Sequence, residues 1–124
     1  MTIKEAIDRI DSLKHNTYSS ADKIAWLSEL DWSAKTLVID LHEGSEDVIF
    51  EGYTSTTPTD TELLIPPPYD SIYLHWLAAQ IDYFNGEYDK YNAAIALYNA
   101  LYDAYSKNYT TNHMPRSQGC RFLF

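Results

Sequence analysis

Apolar residues recur along this chain at helical spacing in four places. Ile3, Ala6, Ile7, Ile10 and Leu13 share one face, which predicts an amphipathic helix over about residues 2–15. Its start is marked by Thr2-Ile3-Lys4-Glu5, a capping box in which the Thr2 hydroxyl accepts from the Glu5 amide and Glu5 reaches back. Asn16-Thr17 interrupts the pattern. A second helix is expected over 20–43, capped by Ser19 or Ser20, with Ile24, Leu27, Leu30, Ala34, Leu37, Val38 and Leu41 on one face and Gly44 as its stop. Trp26 and Trp32 belong at the margin of that face, where their indole N–H groups can find acceptors.

Residues 46–68 read differently. Val48-Ile49-Phe50 and Tyr53-Thr54 favour extended backbone, and the Thr/Ser/Pro-rich stretch 54–61 reads as a loop. Leu63-Leu64-Ile65 is a second short apolar run, so 48–53 and 63–65 are expected to pair as a short β-hairpin or to form an extended insert. Pro66-Pro67-Pro68 ends any strand, because proline has no backbone N–H.

A third helix is expected over 70–85, capped by Asp70, apolar on most sides and hence central to the fold. Asn85-Gly86 closes it in a left-handed cap and joins it to a fourth helix over 87–109, making an antiparallel hairpin. In that last helix Tyr88, Tyr91, Ile95, Tyr98, Tyr102, Tyr105 and Tyr109 alternate three and four apart, a heptad seam. Ala94, Leu97, Leu101 and Ala104 form an adjoining stripe. The two together are wider than one neighbouring helix needs, so one is expected to face the third helix and the other a partner, such as a second copy. The expected fold is mostly α: a four-helix bundle with a C-terminal helical hairpin, a single helical domain over 1–109 and a tail over 110–124.

Charge and composition narrow the function. With 18 Asp+Glu against 9 Lys+Arg, the chain is a poor partner for phosphate backbones or an anionic membrane surface. A single cysteine, Cys120, permits neither an internal disulfide nor a cysteine-based zinc site. The first residues enter a charged helix without a signal-peptide pattern, and no run is long enough for a membrane span, so a reducing, cytoplasmic setting is expected. Eleven tyrosines in 124 residues suit either a tyrosine-rich core or a protein interface. The tail carries Arg116 and Arg121 and no acid, against a body more acidic than the chain's net −9, and it ends in Phe122-Leu123-Phe124. That is the composition of a docking peptide, with a solvated terminus as the plainer alternative.

Catalytic chemistry is not expected. His15, His42, His75 and His113 lie in four segments without a second His or Cys at i+3 or i+4, and His75 reads as a structural histidine. There is no G-x-S-x-G, P-loop or G-x-G-x-x-G, and no calcium-loop alternation of acids. Catalytic, metal and cofactor residues are therefore none.

The stretches Leu63-Leu64-Ile65-Pro66-Pro67-Pro68-Tyr69-Asp70, Tyr73-Leu74-His75-Trp76-Leu77 and Ile81-Asp82-Tyr83-Phe84-Asn85-Gly86-Glu87-Tyr88-Asp89-Lys90-Tyr91-Asn92 resemble small structural proteins of phages and prophages of Gram-positive bacteria, in particular the head–tail connector (adaptor, or head-completion) family of tailed bacteriophages. The resemblance covers residues 47–113 and is most specific over 82–92. It implies a virion protein of the head–tail junction, assembled in the host cytoplasm. Its subunits form a ring, commonly of twelve copies, that extends the DNA channel below the portal protein and offers a platform to a tail-side stopper or tail-completion protein. DNA would pass an acidic wall without being held. Interface residues expected on this basis are Tyr91, Tyr98, Tyr102 and Tyr105 on the last helix and Arg116, Arg121, Phe122, Leu123 and Phe124 in the tail, which in the family often reaches the portal. Alternatives are another phage head- or tail-completion protein, or a helical interaction module or regulator.

Overall fold

A computed structural model describes residues 1–115. The elements in chain order are α1 (Ile3–Leu13), α2 (Ser20–Leu37), two short 3-10 turns (Ile39–Leu41 and Ser45–Asp47), a long irregular insert, α3 (Ile72–Phe84) and α4 (Tyr88–Asn112). The fold is all-α, and the only β contacts among the described residues are two isolated bridges, Thr2 to Glu62 and His42 to Pro115.

α1 begins as its capping box dictates, with Thr2 Oγ1 accepting from the Glu5 amide and Glu5 accepting from the Thr2 amide. Its buried face is Ile3, Ala6, Ile7 and Ile10. Ser19 caps α2 through the Asp22 amide. The core joins Ile3, Ile10, Leu27, Leu30, Ile72, Leu77 and Ile81 with Ile65 from the insert. Two lysines lock α1 down by their ammonium ends. Lys14 Nζ lies 2.8 Å from the buried carboxylate of Asp82 on α3, and the buried Lys23 Nζ lies 2.7 Å from Asp11 and 3.0 Å from the Tyr18 carbonyl. Trp26 is buried with its ring stacked on Phe84, and its carbonyl accepts from the Trp76 indole. Trp32 stays at the margin, edge-on to Phe50.

α3 and α4 are joined by three residues. The Gly86 amide donates to the Tyr83 carbonyl and the Glu87 amide to the Asp82 carbonyl, with Gly86 at φ 77, which is a Schellman ending. Ring contacts give the register. Tyr83 meets Tyr91, Trp76 meets Tyr98 and Tyr69 meets Tyr105, so each seven residues back from Tyr83 is matched by seven forward along α4. That is the pattern of an antiparallel pair.

Several features differ from expectation. α2 ends at Leu37 rather than continuing to His42 or Glu43, because the backbone turns at Val38 (φ −120, ψ −64) and tightens into a 3-10 turn. The break lets Val38, Ile39 and His42 all turn inward, and the Val38 carbonyl accepts both the Leu41 amide of the 3-10 turn and the His42 Nδ1–H. Gly44, at φ 87, comes after this turn rather than ending a helix. Segments 48–53 and 63–65 do not pair as a hairpin. Their amides go elsewhere: Tyr53 to Ser28 Oγ, Leu63 to the Met1 carbonyl, Leu64 to Asp31 and Ile65 to the Tyr73 hydroxyl. Asp70 does not cap α3. A turn over residues 66–71 delays the start to Ile72, and Ser71 stands at the cap position without a side-chain bond. α4 runs through Asn112, three residues past its expected end.

Candidate functional site

α2 places Asp31 on the same face as Leu27 and Ala34, one helical turn from each, so its carboxylate enters the core and is fully buried. Three donors meet it. Tyr53 Oη donates to Oδ2 at 2.5 Å, Tyr73 Oη to Oδ1 at 2.6 Å, and the Leu64 amide to Oδ2 at 3.1 Å. The Tyr73 oxygen in turn accepts from the Ile65 amide at 2.7 Å. Burial pushes the Asp31 carboxyl above its ordinary range, opposed by the hydrogen bonds from Tyr53, Tyr73 and the Leu64 backbone. Burial first, and then the neighbouring Asp31, push both tyrosine hydroxyls upward, so they remain protonated donors. Such a cluster ties chain segments together. It fastens both ends of the insert, at Tyr53 and at Leu64 and Ile65, to α2 and α3. The sequence reading missed Asp31. Its signal was a polar residue in an apolar helical stripe, as at Lys23 eight residues earlier, and its partners Tyr53 and Tyr73 lie far along the chain.

The tyrosine seam of α4 is turned inward from Tyr91 to Tyr109, whereas Tyr88 at its start is exposed. Tyr91 is half-buried against Tyr83. Tyr98 lies on Trp76 with ring centroids 4.9 Å apart, and burial with the nearby Tyr102 pushes its hydroxyl up to about 12. Tyr102 Oη is 2.9 Å from Ser33 Oγ on α2. Tyr105 is only 3% exposed, against Tyr69. Of the four tyrosines expected at an interface, Tyr105 is therefore part of the fold's own core, and Tyr91, Tyr98 and Tyr102 each leave only part of their surface outside.

The adjoining stripe splits. Ala94 is buried and Leu101 half-buried, whereas Leu97 is 54% exposed and Ala104 exposed. With Ala93, Ala96 and Ala100, also exposed, they make the outward face of α4 apolar over three turns. A second exposed apolar area caps the hairpin, where Tyr83, Phe84 and Tyr88 stand out around the α3–α4 joint. A third lies at the far end of α4. There the Tyr109 ring is stacked on His113 and edge-on to His42, the Glu43 amide donates to the Met114 carbonyl at 2.7 Å, and Leu37, Leu41 and Met114 are exposed. The expected tail residues Arg116, Arg121, Phe122, Leu123 and Phe124 lie outside the described residues.

Among the described residues, no three His, Cys, Asp or Glu side chains gather as a metal cage requires, and no helix is long and apolar enough to cross a membrane. His42 and His113 meet on the Tyr109 ring, and burial lowers the half-buried His75 below its ordinary range. Compared with protein families, with curated proteins and with solved structures, the chain matches none.

Proposed function

We propose that this chain is a structural subunit of a tailed-bacteriophage head–tail connector, one of a ring of copies below the portal that continues the DNA channel and seats the tail-side proteins. The virion setting is supported by the resemblance carried by residues 63–92. The assembling role is supported by the outward face of α4, where Ala93, Leu97, Ala100 and Ala104 alternate four and three apart and meet no other part of the fold closely enough to be buried. Exposed small and branched apolar residues at that spacing suit close helix contact with another subunit. A ring requires a heterologous contact, and the hairpin cap of Tyr83, Phe84 and Tyr88 offers a second, different apolar surface on the same molecule. The acidic body, net −9 for the chain, suits a channel wall that DNA passes without holding.

A reconstruction of particles assembled from this chain and the structural proteins encoded beside its gene tests the reading. It should show the chain as a ring between portal and tail. A junction built wholly from other proteins refutes the proposal. Leu97→Asp should leave the stability of the isolated subunit within about 0.5 kcal/mol, as an exposed surface change does, and abolish incorporation. Incorporation at the wild-type level would remove the outward face of α4 from the interface.

A further inference from the structure

We infer that the aromatic cap of the α3–α4 hairpin is a docking site for an arginine-bearing segment of another protein. The cap is one continuous surface. Centroid to centroid, the Phe84 ring lies 5.3 Å from Tyr83 and 6.5 Å from Tyr18, and Tyr83 lies 6.0 Å from Tyr88. Tyr83, Phe84 and Tyr88 are 49%, 56% and 60% exposed. The rings are also held from behind. Phe84 stacks on the buried Trp26 with the two planes 10° apart, and Tyr83 rests against the half-buried Tyr91. The Tyr18 hydroxyl donates to Asn85 Oδ1 at 2.7 Å, which ties the segment before α2 to the hairpin joint. Rings fixed before a ligand arrives lose little freedom on binding it.

Charge and area choose the occupant. Glu87 and Asp89 flank Tyr88 in the chain, and Asp22 stands one turn before Trp26 on α2, all three exposed. Glu87 pairs with Lys90, whereas Asp22 and Asp89 form no ion pair among the described residues. Exposed aromatic faces beside uncompensated carboxylates attract a cation twice, the ring through its quadrupole and the acid through its charge. Arginine suits both, because its planar guanidinium stacks on a ring while its N–H fork reaches a carboxylate. Three rings of about 200 Å² each, roughly half exposed, offer on the order of 300 Å². A stable protein–protein interface takes about 800 Å² from each partner, so the cap fits a short segment and not a folded surface. A second copy is a poor source of that segment. Every lysine of the chain already pairs with an acid of its own, and two caps face to face would set acids against acids. The inference concerns the free subunit and does not depend on the connector reading.

An NMR titration of the isotope-labelled full chain with the peptide acetyl-Gly-Arg-Pro-Leu-Arg-Gly-amide at low salt tests it. Amide signals of residues 83–89 and of Asp22 should shift, with a dissociation constant on the order of 1 mM. Lysine in place of both peptide arginines should weaken binding roughly threefold, and glutamate in their place should abolish it. Salt at about 0.5 M should weaken the arginine peptide severalfold. Tyr88→Ala removes an exposed ring in contact with Tyr83, and D22N/D89N keeps every ring and removes two charges. Each should weaken the arginine peptide by about fivefold, with the signals of α1 left as in the wild type. Equal affinity of the wild type and D22N/D89N overturns the inference, as does equal binding of the arginine and glutamate peptides. Shifts confined to another acidic stretch, such as residues 43–51, overturn it too. So does dilution dependence of the signals of residues 83–89 without peptide, because the occupant is then a second copy.

Discussion

Tyr73→Phe isolates the buried carboxylate cluster with the loss of one oxygen. In the folded chain that oxygen donates to Asp31 at 2.6 Å and accepts from the Ile65 amide at 2.7 Å. Losing a hydrogen bond to a charged group costs about 1.5–3 kcal/mol, and leaving a buried amide unpaired adds about 1–3 kcal/mol. A loss of about 3–4 kcal/mol is expected, a large share of the ~5–15 kcal/mol that holds a domain together. With a urea slope of about 1.5 kcal/mol per molar, the midpoint should fall by roughly 2 M. Tyr53→Phe removes a donor to Asp31 without stranding an amide, so its loss should be smaller. The pH dependence has a definite sign. Burial raises the Asp31 carboxyl in the fold, so the stability linked to its proton is complete below the unfolded value and is lost as pH rises through the folded one. The Tyr73 hydroxyl favours the charged form, so its removal raises the carboxyl further. The deficit of Tyr73→Phe should therefore be largest near neutral pH and shrink on acidification. Urea titrations followed by tryptophan fluorescence at pH 7 and in mild acid measure both quantities. A deficit under about 0.5 kcal/mol at pH 7, or one that grows as pH falls, refutes the reasoning.

Three further outcomes are expected. Gly52→Ala should destabilise more than Gly44→Ala in thermal unfolding: both glycines have positive φ, but a Cβ at Gly52 would come within 3.0 Å of Trp32 Nε1, whereas one at Gly44 meets nothing. The first should cost about 2–3 kcal/mol and the second about 1 kcal/mol. Lys14→Ala should cost about 3 kcal/mol in chemical denaturation, because it leaves the buried Asp82 carboxylate without its ammonium partner, whereas Lys4→Ala, which breaks an exposed pair with Asp8, should leave the denaturation midpoint essentially unchanged. Tyr98→Ala should lower subunit stability by about 2–3 kcal/mol through the lost contact with Trp76, measured as a drop in urea midpoint, and unchanged stability would make Tyr98 an interface residue only.

Local signals were legible in the chain and long-range ones were not. The capping box of Thr2 and Glu5, the Ser19 cap and the glycine ending at Gly86 depend on residues within a few positions of one another, and each appears in the fold as its spacing implies. The tyrosine seam of α4 was readable as a seam because heptad spacing is a property of one helix. Which side it faced was not, since that depends on Tyr69, Trp76 and Tyr83 lying in register with it. The insert was misread because its apolar runs look like strands, and β propensity does not reveal that their amides will find a carboxylate, two hydroxyls and the chain's first residue. The end of α2 was overrun because Val38 and Leu41 continue an apolar period across a backbone that changes geometry between them.

The way the insert is fastened also orders events in time. α3 and α4 need close only a three-residue joint to find each other, which is fast for a polypeptide. The insert's fastenings span far more chain: Tyr53 to Asp31, Leu64 to Asp31, and Ile3 and Lys4 to the carbonyls of Thr61 and Thr59. Their closure entropy must be met before any of them forms, so they arrive after the hairpin. Asp31 is thus the point where distant stretches of chain converge: Tyr53 and Leu64 reach it from 22 and 33 residues away, so the cluster forms only once those loops have closed.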